Sequence, residues 1–130
     1  MKQFLLLALL LMSFGTIVLA EDIDVSSEKD PSKRIMMIPL ESIFVPKSPF
    51  DADPEARKLY VSEYRFAYRT VLAEVDVDCY MSISGPFQIP MERGHRDGLA
   101  DAKKKYPEKV ARMWGITLEE YRKAFPEKTP

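Results

Sequence analysis

Residues 51–76, DADPEARKLYVSEYRFAYRTVLAEVD, leave this chain little freedom over its architecture. Asp53 is a capping residue, Pro54 suits the first helical position, and Glu55 suits the positive end of a helix, so a helix is expected over 54–75. At 100° per residue, Tyr60, Val61, Tyr64, Ala67, Tyr68, Val71, Leu72 and Val75 share one broad apolar stripe. A helix of that span is about 33 Å long, and in so small a chain its stripe must be buried on a second helix. A thinner row on the other side, Leu59, Phe66 and Ala73, offers a seat for a further segment.

The second helix is expected over 91–106, MERGHRDGLADAKKKY, ending before Pro107 because a proline disfavours helical geometry in the residue preceding it. Gly94, Gly98 and Ala102 stand at four-residue steps. A glycine inside a helix costs about 1 kcal/mol relative to alanine, so a row of small residues makes sense where a neighbouring helix comes close. Tyr60, Tyr64 and Tyr68 repeat the same spacing, and the expected arrangement is an antiparallel pair with tyrosine rings over glycines. His95, the single histidine, shares the glycine side, while Asp97 lies about 200° round the helix from it and cannot act jointly with it. Arg93 with Asp97, Glu92 with Arg96, and Asp101 with Lys105 are spaced as i,i+4 pairs of a solvated face.

Two short helices complete the expected bundle. One runs over 107–114 with Gly115 as its stop. The other follows the capping box Thr117-Leu118-Glu119-Glu120 and is ended by Pro126. The fold class is therefore mainly α, a small helical bundle. Residues 35–53 are apolar but cut by Pro39, Pro46 and Pro49, which excludes a central strand and suggests an extended arm wrapped over the helices. Residues 21–34 open with EDIDVSSEKD, five acids and one lysine, and read as a flexible lead-in to the single domain at 35–130. Residues 76–90 lose the helical period and form a connecting loop, with a short extended piece at 79–83.

The first twenty residues have the layout of a secretory signal peptide: Lys2, an apolar run from Phe4 to Met12, then Val18 and Ala20 before a cleavage point. Cleavage after Ala20 is expected, leaving a secreted or periplasmic chain that meets the membrane only through the signal before it is removed. Without Lys2 the chain carries 18 basic and 20 acidic side chains, a balance that gives no reason to expect nucleic acid as a partner. Ala111 with Gly115-Ile116-Thr117 resembles the turn of a helix-turn-helix, but the following helix opens with Glu119 and Glu120, which would repel base edges and phosphates.

Catalytic chemistry finds few of its usual residues. Cys79 and His95 are the sole members of their kinds, no family signature surrounds Cys79, and Asp76 and Asp78 would oppose its ionisation. One cysteine and one histidine cannot fill a zinc site, and methionines such as Met36, Met37, Met81, Met91 and Met113 are better explained as packing than as ligands for Cu(I). No cofactor is expected. The sequence favours a non-enzymatic binding or structural module whose partner is another protein. The alternative is a small-molecule or soft-metal binder using the 79–95 loop, with Cys79, Phe87 and His95 as its surface, and a Cys/His enzyme ranks third.

Overall fold

The computed structural model describes residues 19–76 and 85–127. Among them the chain forms five α-helices and no strand: α1 Pro31–Met36, α2 Pro54–Leu72, α3 Gln88–Lys105, α4 Pro107–Trp114 and α5 Leu118–Ala124, with 3-10 turns at Ala20–Asp22 and Leu40–Ser42. The chain is the mainly helical bundle that its apolar periodicity dictates.

The helix ends follow local chemistry. The Asp53 carboxylate accepts from the backbone N–H groups of Glu55 and Ala56 at 3.1 and 3.3 Å, and Thr117 Oγ1 accepts from Glu120 N at 3.1 Å. Gly115 ends α4 with φ 66°, a left-handed conformation that favours glycine. Helix α3 starts a turn earlier than expected, at Gln88. Pro90 is tolerated there because the first-turn N–H groups have no intrahelical acceptor to lose. Helix α2 stops at Leu72, short of the expected 75, where Ala73 caps it and Glu74 turns left-handed at φ 56°. Cations gather at this negative helix end: Lys109 Nζ donates to Leu72 O at 3.1 Å, Arg34 Nε donates to Ala73 O at 2.9 Å, and Arg112 pairs with the Glu74 carboxylate.

The direction of the main helix pair corrects the sequence reading. Gly94 abuts Tyr60 and Gly98 abuts Tyr64, while the Tyr60 and Tyr64 hydroxyls reach Asp97 and Asp101, each 37 residues further along the chain. Position numbers rise together on both helices, so α2 and α3 are parallel, not antiparallel. The connection allows this. Helix α2 is about 28 Å long, and the residues from 73 to 87 reach about 50 Å when extended, enough to bring the chain back to the starting end.

The N-terminal third also differs from the expected loose lead-in and extended arm. Asp30 caps α1 with Pro31 in its first turn, Val25 is 1% exposed within the core, and Ile38 and Ile43 are buried. Over residues 31–48 the segment holds one short helix and one 3-10 turn, with residues 44–48 outside any turn, since a pyrrolidine ring is as compatible with a first turn as with an extended piece. It passes along α2 from the Ala73 end, where Arg34 is fixed, past Arg65, whose Nε donates to Ile43 O at 3.1 Å, to Phe50, which packs on Tyr60 at 5.9 Å between ring centroids. It thus covers the tyrosine side of α2 rather than the Leu59–Phe66 row. Of that row, Phe66 faces His95, and Ala73 meets the segment through its carbonyl oxygen, which accepts from Arg34.

Candidate functional site

The residues singled out by the sequence fall into two places on the α2–α3 pair. Gly94, Gly98 and Ala102 form the inner face of α3. A Cβ on Gly94 would lie 3.0 Å from Tyr60 Cα and nearer still to its carbonyl oxygen; one on Gly98 would lie 2.9 Å from Tyr64 Cα and nearer still to that carbonyl. The glycines therefore admit the backbone of α2 itself. The tyrosine rings do not cover them, as the spacing had suggested, but run beside the contact and continue across to α3.

There the rings form a ladder. Phe50, Tyr60, Tyr64, Tyr68 and Tyr106 follow one another with centroid separations of 5.9, 6.0, 6.0 and 6.1 Å, distances at which offset and edge-to-face rings attract. The Tyr60 hydroxyl donates to Asp97 Oδ2 at 2.7 Å and the Tyr64 hydroxyl to Asp101 Oδ2 at 2.6 Å. Asp97, half-buried, and Asp101, exposed, are thus acceptors for α2 as well as members of the charged face. Arg93 does pair with Asp97 at 3.2 Å, but Glu92 accepts from Gln88, and Lys105 goes to Glu21 at 2.6 Å instead of Asp101. Glu92 is taken by Gln88 one turn earlier on the same helix, whereas Asp101 and Lys105 are drawn off by Tyr64 of α2 and by Glu21 of the N-terminal segment.

The electrostatics of the ladder suit fastening rather than proton transfer. Burial, then the bonded Asp97 and Asp101 carboxylates, push the Tyr60 and Tyr64 hydroxyls well above their ordinary range. Burial, with the neighbouring Tyr68 and Glu21, does the same for Tyr106. The Lys105 ammonium, followed by the Tyr106 hydroxyl, holds the Glu21 carboxyl below its usual value. A phenol that keeps its proton so firmly is a poor base and a poor nucleophile near neutrality. A cavity of about 400 Å³ lies beside the ladder, lined by Tyr64, Tyr68, Leu72 and Phe44 together with Leu19 and Ala20, two residues on the far side of the expected cleavage point.

His95 sits on the opposite flank. Its Nδ1 is 3.7 Å from Glu63 Oε2, its ring packs on Phe66 at 6.5 Å, and both the imidazole and the carboxylate are largely enclosed, at 14% and 20% exposure. Burial raises the Glu63 carboxyl, opposed by the attraction of His95. Phe87 is half-exposed at the cap of α3, about 12 Å along the helix axis from His95. Cys79 and Met81, together with the extended piece expected at 79–83, lie outside the described residues. Among the described residues no group of histidine, cysteine and carboxylate side chains could hold a metal ion.

Sequence reasoning missed the face formed by Met36 and Phe44. They are 75% and 83% exposed, although the neighbouring Ile38 and Ile43 are buried. Arg69 Nη2 donates to Met36 Sδ at 3.2 Å, and Arg65 holds the carbonyl of Ile43, the residue before Phe44. Arg65 and Arg69 are one turn apart on α2, and Phe44 also lines the cavity beside Tyr64 and Tyr68. No described helix is long and apolar enough to cross a membrane. No family model matches the chain, and no curated protein or solved structure matches it either, so the reading of its function rests on its own residues.

Proposed function

We propose that the protein acts in an exported compartment as a non-enzymatic binding module, and that it meets another protein through the face built on Met36 and Phe44. The layout of residues 1–20 supports the compartment. The exposure of Phe44 and Met36 carries the rest, since Ile43, beside Phe44, and Ile38, two residues from Met36, are buried by the same segment. Isolated surface apolar groups are ordinary, but here two stand on one short segment that is fixed to α2 by Arg65 and Arg69, and an apolar group beside charge is the usual character of a contact surface. The side chains best suited to chemistry speak for the same reading: the ladder hydroxyls and their carboxylates are engaged with one another across α2 and α3.

The test has two arms in the cells that make the protein. Intact mass of the fractionated protein should give a chain beginning at Glu21 outside the cytoplasm. A photo-reactive amino acid at position 44 should yield one discrete protein adduct, abolished by Met36→Asp, while the same group at exposed Glu55 yields none. An uncleaved cytoplasmic chain, or equal labelling at both positions, would end this reading.

A further inference from the structure

A separate feature stands at the far end of the bundle, where α3 passes into α4 and α5 folds back. A cleft of about 530 Å³ opens there between Lys103 and Lys104 of α3, Pro107 at the start of α4, and Tyr121, Arg122 and Phe125 of α5 and its cap. Its apolar wall is a cluster of aromatic rings: Tyr121 and Phe125 are 5.3 Å apart, and Trp114 backs both at 5.7 and 5.5 Å. Lys103 Nζ lies 5.4 Å from the Trp114 ring.

The charges are unbalanced. Among the described residues none of Lys103, Lys104 and Arg122 has an acidic partner, whereas the neighbouring Lys105 and Lys123 are paired with Glu21 and Glu119. Glu127 is the one acid lining the cleft. Bases in the last turn of a helix answer that helix's own dipole, which accounts for their presence on α3 and on α5. It does not account for their facing one cleft from two helices, with an aromatic wall between them. The volume is that of a small-molecule site, and the cations and rings call for opposite ends of one ligand.

We propose that this cleft binds a small organic anion, with a phosphate, sulfate or carboxylate head held by Lys103, Lys104 and Arg122 and a flat apolar body laid against Tyr121 and Phe125. The guanidinium of Arg122 supplies the paired donors that a tetrahedral or carboxylate head accepts, and the lysines supply point charges. Planar rings offer stacking to the body without demanding a particular sequence of polar groups.

Trp114, the single tryptophan, is a built-in reporter because it backs the ring wall. Phenyl phosphate titrated into the mature protein should change its fluorescence saturably. Phenol and inorganic phosphate, each carrying half of the ligand, should bind at least about ten-fold more weakly, and added salt should weaken phenyl phosphate further. Lys104→Gln and Arg122→Gln should each reduce its affinity by about ten-fold, the usual worth of a charged hydrogen bond. Both side chains are exposed, so unchanged melting would separate loss of binding from loss of fold. Absence of saturation, phenol binding as tightly as phenyl phosphate, or full affinity in the Lys104→Gln, Arg122→Gln double variant would overturn the proposal.

Discussion

Gly98→Ala puts the central helix contact to its sharpest test. At an open helical site this substitution gains about 1 kcal/mol. At position 98 the added methyl would stand 2.9 Å from Tyr64 Cα and closer to its carbonyl oxygen, and that obstacle is main chain in the middle of α2, which has no rotamer to turn into. The helices must separate instead. Overpacking of this kind costs about 1–3 kcal/mol. Separation also stretches the bonds from Tyr60 to Asp97 and from Tyr64 to Asp101, each worth about 1.5–3 kcal/mol when made to a charged acceptor. With partial relaxation, the net loss should be about 1–3 kcal/mol, a fall of roughly 5–15 °C in Tm for a domain of this size.

Gly115→Ala makes a useful companion, because nothing lies within 4 Å of that position and its cost, about 1–2 kcal/mol, comes from the left-handed backbone alone. The Gly94→Ala, Gly98→Ala double variant should lose less than the sum of the two singles, since one separation of the helices accommodates both methyls. Thermal and urea melts followed by circular dichroism would measure all four proteins. A Gly98→Ala protein that melts at or above the wild type, or strict additivity in the double variant, would refute the backbone-on-backbone contact.

Two further outcomes concern titration. Tyr60, Tyr64 and Tyr106 hold their protons more firmly folded than unfolded, so the stability they contribute is complete below the ordinary phenol pKa of about 10 and is lost as pH rises beyond it; an absorbance titration should show these phenols ionising only as the protein unfolds, and Tyr64→Phe should cost about 1.5–3 kcal/mol at neutral pH. Glu63 has the opposite consequence: burial raises its carboxyl, so its ionisation opposes folding at neutral pH, and Glu63→Gln should raise Tm at pH 7, with the gain fading as pH falls through the raised folded pKa and gone by the ordinary glutamate value of about 4.3.

The helices were legible in the sequence wherever a local device marks them. Asp53 with Pro54, Thr117 with Glu120, and Gly115 all act within four residues of themselves, and all perform as their chemistry implies. The row Gly94, Gly98, Ala102 was legible for the same reason: small residues at helical spacing signify close approach whatever approaches. The direction of that approach was not legible, because a four-residue period is the same read forwards or backwards and the connection is long enough for either. Nor was the partnership of Asp97 and Asp101 with tyrosines 37 positions away, since a helical wheel places a side chain relative to its own axis but not relative to a third element. The turn at Pro31–Met36 did carry a signal, an Asp-Pro pair like that at 53 and 54, but the acidic residues before it are equally those of a solvated lead-in.

The parallel register of α2 and α3 bears on how the molecule reaches its native state. Two helices joined by a tight turn find each other through a closure of about four residues, whereas every ladder bond here closes 37. On a logarithmic loop cost, that difference is about 2 kcal/mol of chain entropy to be spent before any contact rewards it. Neither helix can template the other as a growing hairpin. Residues 88–105 must instead encounter an α2 that already holds much of its form, and the glycine row, which permits contact only at one depth and one register, makes most encounters unproductive. Folding should accordingly be slow for so small a helical protein, nearer the pace of domains built from distant pairings than that of bundles built from neighbours.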